Sequence, residues 1–490
     1  MTPPRIYEIH TLAWLDALSA RRGAPVTLAG VPDSELDALA DLGPDAVWLM
    51  GIWERSPAGR EIALSHPGLQ NDYARALPSF GPTDITGSPY AVRRYFVDPA
   101  AGSREDLASF RRRLASRGMK LFLDFVPNHV APDHPWLTES PDCLLTASEA
   151  DLARDPDTFF RHPTTGRIFA HGKDPYFPAW TDTVQVNAFH PALRERVIAT
   201  LLNIASQCDG VRCDMAMLLT TPVFSRTWGP LAGAPPGEDY WLAVLPSIQR
   251  VYPDFQLIAE VYWDMEYTLM QQGFHFAYDK RLYDRMCHEG AAAIRGHLHA
   301  DLAYQSRLVR FIENHDEPRA ATALGPARSR AAAVLVLTLP GAALLHEGQE
   351  LGHRTKLPVQ LHRRPTEPDD LPLRAFYRTL LSASRAPAFR EGTFSLREAL
   401  PISPRSAEHR GLIAFTRAHG PELRLVVVNW SPEYGQARIP LPDLGLAGKP
   451  LRLTDALTGE TYARSGDEVS TAGLHVLLPP WGAHLFSIDA

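Results

Sequence analysis

Apolar runs that lack two-residue alternation recur along this chain, and amphipathic segments separate them. Examples are AVWLMGI (46–52), KLFLDFV (120–126) and GVRC (210–213). Such runs are typical of parallel strands that helices cover on both faces. SREDLASFRRRLASRG (103–118) and HPALRERVIATLLNIASQ (190–207) lie between them and have helical periodicity. The alternation predicts an α/β fold with a parallel sheet. Further runs of the same kind are QLIAEVYW (256–263), RLVRFI (307–312) and GAALLHEG (341–348), and RSRAAAVLVLTL (328–339) is a further helix candidate.

Two departures from this rhythm predict domain boundaries. Residues 131–185 are rich in Pro, Asp and Thr and contain no clear strand–helix unit. From about residue 393, short alternating strands such as LRLVVVNW are separated by Pro and Gly turns, which is the pattern of an antiparallel β-sandwich. We therefore expect a main domain at 1–130 and 186–392, an inserted domain at 131–185 and a C-terminal sandwich at 393–490.

Composition excludes several classes of protein. The chain has 490 residues, of which 45% are hydrophobic, so it carries enough apolar surface for a large core and is not a disordered protein. Its 49 Lys and Arg against 56 Asp and Glu give a net charge of −7, which argues against a nucleic-acid partner. The four cysteines show no metal-binding or disulfide spacing. No secretory signal or membrane span is recognisable, and we expect a cytoplasmic protein that does not associate with membranes.

Polar and charged side chains gather where four of the predicted strands end. Burying a charged or polar side chain costs free energy unless the side chain is paired, so this clustering needs a structural or functional explanation. In a (β/α)8 barrel the C-terminal ends of the strands meet at one mouth, where such groups can be paired and partly hydrated. The pattern therefore favours a barrel with a site at that mouth. The residues are Asp124, Asn128 and His129, then Arg212 and Asp214, then Glu260, and finally Asn314, His315 and Asp316.

Local geometry indicates what two of these carboxyl groups can do. Arg212 and Asp214 are two residues apart on a strand, so their side chains point the same way and the guanidinium keeps Asp214 ionised. Glu260 lies within an apolar run. One permanent anion beside one proton donor is what cleavage of a glycosidic bond needs. Simpler readings stay open, because Arg212 and Asp214 can form a structural ion pair and Asn314 can close an Asx turn.

The four segments resemble the signature regions of a known family. DFVPNH (124–129), GVRCDMAM (210–217), AEVYW (259–263) and FIENHD (311–316) are similar, in this order, to the four conserved regions of the α-amylase family, glycoside hydrolase family 13. ITGSPYAVRRYFVDP (85–99) resembles the early segment of that family, which carries a sugar-stacking Tyr. The resemblance covers roughly residues 5–390. It implies a (β/α)8 TIM barrel with an inserted B domain and a C-terminal β-domain.

The resemblance also implies catalytic roles. Asp214 would be the nucleophile that forms a covalent glycosyl–enzyme intermediate. Glu260 would be the general acid and then the base that activates the acceptor. Asp316 would be the third carboxylate, which binds sugar hydroxyls and helps to keep Glu260 protonated. The mechanism implied is a double displacement with retention of configuration.

Five further residues match substrate-binding or supporting positions of the family. Arg212 would orient Asp214, His129 and His315 would bind sugar hydroxyls, Tyr90 would stack under the sugar, and Asp124 would support the site. The implied substrate is an oligosaccharide or α-glucan. The resemblance implies no organic cofactor and no catalytic metal, although Asn128 matches a family calcium ligand and calcium stays possible.

Departures from the family pattern limit the choice of activity. Met217 and Leu218 stand where the family often has Lys and His, so a common acceptor-side contact is missing. The bases Lys356, Arg363 and Arg364 can form an anion site or simply a solvated loop face. We therefore expect a retaining α-glycosidase or transglycosylase acting on α-glucosidic bonds. The alternatives are a disaccharide- or sugar-phosphate-specific transferase and a non-catalytic carbohydrate-binding relative.

Aromatic residues near the predicted strand ends fit stacking on pyranose rings, and at least half of them are also expected as core residues. They are Tyr73, Trp180, Tyr262, Trp263, Phe274, Phe276 and Tyr278.

Overall fold

Eight parallel strands form a closed barrel in the computed structural model, which describes residues 2–490. The strands follow one another around the barrel in the order of the chain, so that β1 closes on β8. This confirms the predicted (β/α)8 barrel. The barrel strands are β1 (Arg5–His10), β2 (Ala46–Met50), β3 (Lys120–Phe125), β4 (Gly210–Cys213), β5 (Gln256–Ala259), β6 (Phe276–Tyr278), β7 (Leu308–Arg310) and β8 (Ala342–His346).

Burial explains which strands are visible in the sequence. All residues of β2 and β4 are buried, as expected for parallel strands covered on both faces. The sequence analysis missed β1 because buried Arg5, Glu8 and His10 interrupt its apolar character. It also missed the three-residue strand β6. The predicted strand at 256–263 is shorter than expected, since β5 ends at Ala259 and Glu260 lies just beyond it.

Helices alternate with the barrel strands. The predicted helix at 103–118 is Arg104–Ala115, and it begins with a capping box in which Ser103 and Asp106 cap each other's backbone N–H groups. The helices of eight or more residues are Thr11–Arg22, Asp33–Leu42, Pro57–Ser65, Pro67–Ala76, Arg104–Ala115, Pro191–Ala205, Thr221–Trp228, Tyr240–Val251, Lys280–His288, Gly325–Thr338 and Leu371–Ala383. The shorter ones are Trp136–Glu139, Glu149–Arg154, Glu266–Gln271, Ala291–His297, Leu302–Gln305, Ala320–Ala323, Pro387–Arg390 and Gly466–Thr471.

The segment between β3 and β4 is built from short pieces. His129–Val130 pairs with Val184–Gln185, and Phe159–Arg161 pairs with Ile168–Ala170, both antiparallel. The first pair ties the beginning of the segment to its end. A further two-stranded piece, Trp53–Arg55 with Val92–Val97, follows β2.

The C-terminal residues form an antiparallel sandwich, as predicted. A six-stranded sheet has the order β9-β10-β11-β16-β13-β14, and β12 pairs with β15 in a second sheet. Apolar side chains from both sheets share one core, with Ala414 and Val427 on one side and Ile439 and Val476 on the other. The strands are β9 (Thr393–Arg397), β10 (Leu412–His419), β11 (Glu422–Asn429), β12 (Gly435–Ile439), β13 (Pro450–Asp455), β14 (Thr461–Ser465), β15 (Leu474–Leu478) and β16 (Ala483–Asp489).

The chain divides into two compact units. The first unit is Tyr7–Tyr278 with Lys356–Thr366, and the second is Met1–Ile6, Asp279–Thr355 and Glu367–Ala490. The domain boundaries expected from the sequence stay a prediction. No helix among residues 2–490 combines the length and apolar character that crossing a membrane requires.

Close packing at the start of β4 generates a testable prediction. A Cβ on Gly210 would lie 2.7 Å from the Phe122 ring and 2.8 Å from the Gln256 carbonyl oxygen. Because the Gln256 backbone cannot move away easily, we expect Gly210→Ala to lower the free energy of unfolding by about 1–3 kcal/mol. Chemical denaturation measures this. Gly237→Ala is the matched control, because no atom lies within 4 Å of a Cβ there. Equal stability of the two variants would contradict the tight packing of β4.

Candidate active site

Arg212 and Asp214 stand at the end of β4, where the strand leaves the barrel. Arg212 is in register with Asp124 of β3 and Ile258 of β5. The Asp214 N–H donates to the Phe125 carbonyl at 2.8 Å, so the backbone of Asp214 still belongs to the sheet although β4 ends one residue earlier. Both side chains are buried. The predicted orientation of the two side chains to one side follows from this extended backbone.

The Arg212 guanidinium bridges two carboxylates. Its Nη1 donates to Asp214 Oδ1 at 2.6 Å, and its Nη2 lies 2.8 Å from Glu260 Oε2. Burial disfavours the charge on Arg212, but the electrostatic effects of Glu260, Tyr90, Tyr278 and Asp214 together outweigh this and raise the pKa of Arg212 well above its ordinary value. A permanent cation therefore brings Asp214 and Glu260 together. The sequence analysis expected its contact with Asp214 but not its contact with Glu260.

Glu260 accepts from two further groups. The Met215 N–H donates to Oε2 at 2.7 Å, and the Tyr262 hydroxyl donates to Oε1 at 2.6 Å. Met215 has a φ of 44°, which is costly for a residue with a side chain and turns the backbone directly after Asp214. The sequence analysis named Tyr262 only as an aromatic residue. Its position two residues after Glu260 is the signal that could have found this contact.

Aromatic rings surround the guanidinium. Its central carbon lies 5.6 Å from the Trp48 ring centroid, 5.3 Å from that of Tyr90 and 5.8 Å from that of Tyr278. Each ring face is attractive to a cation. Tyr90, which the sequence analysis assigned to sugar stacking, is half-buried and lies over Arg212. It therefore also contributes to holding the cation in place.

Asp124 supports the site from below. Its Oδ1 accepts from the Trp48 indole N–H at 3.1 Å, and its Oδ2 accepts from the Gly51 N–H at 2.8 Å. The Trp53 indole N–H donates to the Asp124 carbonyl at 2.7 Å. These contacts fix the end of β3 beside Arg212. The arrangement agrees with the supporting role that the resemblance implies.

His129 is buried and neutral at neutral pH. Burial lowers the pKa of His129 from 6.5 to about 4, although a hydrogen bond to the Tyr90 backbone opposes this. Its ring lies 5.3 Å from the ring of Trp180, centroid to centroid. Its Nδ1 is buried without a hydrogen-bond partner. A neutral imidazole nitrogen in this position can bind a hydroxyl group.

Asp316 and His315 belong to the second unit, and they follow β7. The Asn314 side-chain oxygen accepts from the N–H groups of Asp316 and Glu317, both at 2.9 Å, which is the Asx turn left open by the sequence. His315 is buried, and its Nε2 lies 2.9 Å from Asp316 Oδ2. The Asp316 side chain is 42% exposed. The turn thus presents a carboxylate that the buried His315 orients.

A buried acid in the same segment was missed by the sequence analysis. Glu313 Oε2 accepts from the Ala320 N–H at 2.6 Å, and its Oε1 lies 3.0 Å from Arg319 Nη2 and 3.5 Å from His346 Nδ1. Burial raises the pKa of Glu313 from 4.5 to about 7, although Arg319 opposes the rise. The signal was an acidic residue directly before Asn314 in an apolar segment.

A second missed feature follows Glu260 in the first unit. Trp263 meets Tyr176 edge to face at 5.0 Å, and the Arg226 guanidinium lies 5.1 Å from the Tyr176 ring and 6.0 Å from the Trp263 ring. We call Tyr176, Arg226 and Trp263 the aromatic clasp. The buried Asp174 carboxylate holds the Tyr176 loop by accepting from the Tyr176 and Phe177 N–H groups. Tyr176 and Phe177 are 57% and 67% exposed.

The other predicted aromatic and basic residues divide into two groups. Tyr73, Phe274, Phe276 and Tyr278 are buried, so they are core residues, as expected for at least half of the set.

Arg363 forms a bidentate ion pair with Asp84, at 2.7 and 2.8 Å. Its guanidinium lowers the pKa of Asp84 through these hydrogen bonds, although burial opposes the shift. Because Arg363 already pairs with a carboxylate of the protein, the hypothesis of an anion site at Lys356, Arg363 and Arg364 loses support.

The Asn128 side chain pairs with Gln185 in this structure. Its side-chain oxygen accepts from Gln185 Nε2 at 3.0 Å, while its amide nitrogen donates to Gln185 Oε1 at 3.3 Å. This amide pair anchors the segment after β3. Within residues 2–490, no three His, Cys, Asp or Glu side chains are grouped as metal ligands. The expectation that the protein needs no cofactor stays a prediction.

Comparisons with known proteins show similarity to α-amylases and related enzymes. The family profile "Alpha amylase, catalytic domain" matches residues 19–192. The chain is 25% identical to alpha-amylase MalA of Haloarcula japonica, over 89% of this chain and 56% of that protein. It is 25% identical to alpha-1,4-glucan:maltose-1-phosphate maltosyltransferase 1 of Streptomyces coelicolor, over 92% of this chain and 63% of that protein. The family profile and both relatives agree with the resemblance to the α-amylase family that the four sequence segments carry.

A solved structure supports the fold over the whole chain. The noncanonic maltogenic alpha-amylase AmyB from Thermotoga neapolitana has a TM-score of 0.71 and 19% identity, and the match covers 99% of each chain. The chain spans less than two thirds of the length of the curated relatives named above.

The buried Glu313 generates a prediction about stability. Because the pKa of Glu313 is raised to about 7, the folded protein holds this proton more tightly than the unfolded chain does. Its contribution is therefore fully present below pH 4.5 and is lost as pH rises towards 7, by at most about 1.4 kcal/mol per pH unit. Glu313→Gln should remove this part of the pH dependence, as measured by urea unfolding at several pH values. The exposed Glu289→Gln is the control, and an unchanged dependence in Glu313→Gln would contradict the prediction.

Proposed function

We propose that this protein is a retaining enzyme that acts on α-glucosidic bonds of oligosaccharides or α-glucans. One observation carries the proposal: a single buried guanidinium contacts both Asp214 and Glu260. Two carboxyl groups that share one cation are held within reach of one sugar ring. Retaining glycosidases keep the two groups about 5–5.5 Å apart, whereas inverting enzymes need about 6.5–9.5 Å to admit a water molecule. The shared guanidinium favours the shorter separation.

The chemistry follows in two steps. In the first, the Asp214 carboxylate attacks the anomeric carbon while Glu260 gives its proton to the leaving oxygen. In the second, Glu260 takes a proton from water or from a sugar hydroxyl, and that oxygen displaces Asp214. Arg212 keeps Asp214 anionic between turnovers. We further propose that Asp316, His129, His315 and Tyr90 contact the reacting sugar, as the family resemblance implies.

Removal of either carboxylate tests these roles. Asp214→Asn and Glu260→Gln should each lower kcat on maltooligosaccharides by at least about a thousandfold, because each step depends on one of them. Circular dichroism and thermal unfolding should show folded proteins. Glu260→Gln should still form the glycosyl–enzyme from an α-glucosyl fluoride, since fluoride leaves without a proton, and mass spectrometry detects that species. The exposed Asp254→Asn is the control, and full activity in either site variant would overturn the assignment.

Water and a sugar hydroxyl can both serve as the acceptor, so hydrolysis and transfer share this site. Incubation with maltooligosaccharides, followed by chromatography, separates them. Shorter products alone would exclude transfer, and redistributed chain lengths would exclude simple hydrolysis. The relative from Streptomyces coelicolor is named for maltose 1-phosphate, so the panel also includes sucrose, trehalose and maltose 1-phosphate. Release of a sugar phosphate when inorganic phosphate is added, or release of inorganic phosphate from maltose 1-phosphate, would support the second candidate, a sugar-phosphate transferase. The ion pair of Arg363 with Asp84 argues against this candidate.

The aromatic clasp supports binding of sugars beyond the cleaved bond. Met217 and Leu218 are buried, so they cannot supply the acceptor-side contact that the family often takes from these positions. Trp263 follows Glu260 by three residues, and Arg226 lies in the helix Thr221–Trp228 that follows β4. Tyr176 offers an exposed ring beside them. We propose that the clasp replaces the missing contact.

Truncation of the clasp should selectively weaken the binding of long substrates. Trp263→Ala and Tyr176→Ala should each raise KM for maltoheptaose about 5- to 10-fold, because one stacked ring is worth roughly 1 kcal/mol. Turnover of α-glucosyl fluoride should stay close to that of the wild type, because this substrate has no second sugar. Steady-state kinetics on both substrates measure the difference. The exposed Tyr434→Ala is the control, and equal losses on both substrates would contradict a role restricted to the distant sugars.

A non-catalytic relative is the competing class. It would bind oligosaccharides without turnover, and the carboxylate variants would then change nothing. The cytoplasmic location expected from the sequence stays a prediction, as does the absence of nucleic-acid partners.

A further inference from the structure

The two oxygens of Glu260 have different kinds of partner. Oε2 faces the Arg212 guanidinium at 2.8 Å and the Met215 N–H at 2.7 Å. A guanidinium and a backbone N–H can only donate, and neither accepts a proton. A proton on Oε2 would point into these two donors. When Glu260 is protonated, its proton therefore sits on Oε1.

Oε1 faces a group that can both donate and accept. The Tyr262 hydroxyl donates to Oε1 at 2.6 Å when Glu260 is a carboxylate. A phenol oxygen also accepts, so the same hydroxyl can turn its hydrogen away and accept from a protonated Oε1. No backbone amide or guanidinium could do this. Tyr262 thus has a suitable contact with Glu260 in both protonation states.

We propose that Tyr262 is a positioning residue that holds Oε1 through the whole reaction, so that Glu260 releases and regains its proton through this one oxygen. The inference rests on the proposed function, because it concerns how Glu260, the proposed general acid, is positioned. It specifies which oxygen of Glu260 carries the proton and which residue positions that oxygen. The fixed donors to Oε2 hold the carboxyl group in place while Oε1 releases and regains the proton.

The proton and electron balance is complete without another reactant. In the first step, the Oε1–H proton goes to the leaving oxygen, which keeps the electron pair of the broken glycosidic bond, and Asp214 forms a bond to the anomeric carbon. Tyr262 then donates to the new carboxylate. In the second step, Oε1 takes a proton from the incoming water or hydroxyl, whose oxygen bonds to the anomeric carbon as the bond to Asp214 breaks. Tyr262 returns to accepting.

The backbone on both sides of this contact is unusual. Met215, Trp263 and Asp264 have φ angles of 44°, 63° and 60°, a region that side chains other than Gly rarely adopt. Met215 aims its N–H at Oε2, and the other two turn the chain directly after Tyr262. Strained backbone of this kind persists where the surrounding structure demands it, and it clusters at functional sites. Here it places one partner on each oxygen of Glu260.

Other charged groups also act on Glu260. Arg212 and Asp214 face it from the end of β4, and Tyr278 of β6 interacts with it electrostatically. None of them is changed when the Tyr262 hydroxyl alone is removed. Hydrogen bonds to a charged group are about twice as strong as neutral ones, so the hydroxyl favours the carboxylate over the acid.

Tyr262→Phe tests the proposal. Without the hydroxyl, Glu260 should hold its proton more tightly, and the basic limb of the kcat/KM profile on maltotriose should move about 0.5–1 pH unit upward. The acidic limb, which reports Asp214, should stay in place. The kcat at the optimum should fall about tenfold, while formation of the glycosyl–enzyme from α-glucosyl fluoride should be nearly unchanged, because that step needs no proton from Glu260.

A second variant keeps the shape of the side chain. Site-specific 3-fluorotyrosine at position 262 is a stronger donor and a weaker acceptor that stays a phenol at neutral pH, so the basic limb should move downward, opposite to Tyr262→Phe. This variant keeps the test decisive if Tyr262→Phe folds poorly. Tyr434→Phe, at an exposed tyrosine, is the matched control and should leave the profile unchanged. The opposite signs of the two shifts are a result that a purely structural role would not produce.

The outcomes separate this inference from the proposed function. If the wild type is active and Asp214→Asn is not, but both Tyr262 variants keep the wild-type limbs, the inference is wrong and the function stands. If the wild type turns over no glucoside, or Asp214→Asn is fully active, the function itself fails. Equal losses on maltotriose and on the fluoride would assign Tyr262 to packing and would also overturn the inference.

Discussion

The contact between one buried arginine and two carboxylates is the constraint on which the candidate site depends. An unpaired charge in a protein interior is very costly, and removing one partner of a buried pair typically costs about 3–5 kcal/mol. Arg212 has Asp214 and Glu260 on its two terminal nitrogens and ring faces of Trp48, Tyr90 and Tyr278 around it. These partners come from separate strands and loops of the first unit, so the cation fixes their arrangement.

Parts of this arrangement follow directly from the sequence, and other parts cannot. A strand places residues i and i+2 on one side, so the pairing of Arg212 with Asp214 is visible in GVRCD. The contacts of Glu260 are different, because they depend on backbone beyond the end of β5 that has left regular geometry. No periodicity encodes the left-handed Met215 or the reach of the Tyr262 hydroxyl. The sequence therefore predicts the contact of Arg212 with Asp214, but not which atoms contact the two oxygens of Glu260.

The same distinction holds for the fold. The buried strands β2, β3 and β4 were recognisable because nothing polar interrupts their cores except residues with functional reasons. Strand β1 was hidden by Arg5, Glu8 and His10, and Glu313 escaped notice because a single acid in an apolar segment is ambiguous without its neighbours. Burial of a polar group becomes interpretable only when its partners are known, and those partners are distant in the chain. The cluster of Glu313 with Arg319 and His346 is such a case.

The departures from the family pattern also acquire a physical reason. Met217 and Leu218 turn into the core within the short helix Ala216–Leu219, so the loop after Asp214 offers an apolar underside rather than a basic one. The next basic residue along the chain after Leu218 is Arg226. Its aromatic partners, Tyr176 and Trp263, come from the segment after β3 and from the residues after Glu260. Contacts to distant sugars would then depend partly on the inserted segment, because connecting segments at the protein surface commonly carry binding residues. In the proposed function, cleavage and the contacts to distant sugars therefore depend on different residues of the first unit. Asp214 and Glu260 stand just beyond the ends of β4 and β5, whereas the aromatic clasp is formed by loops and by the helix Thr221–Trp228.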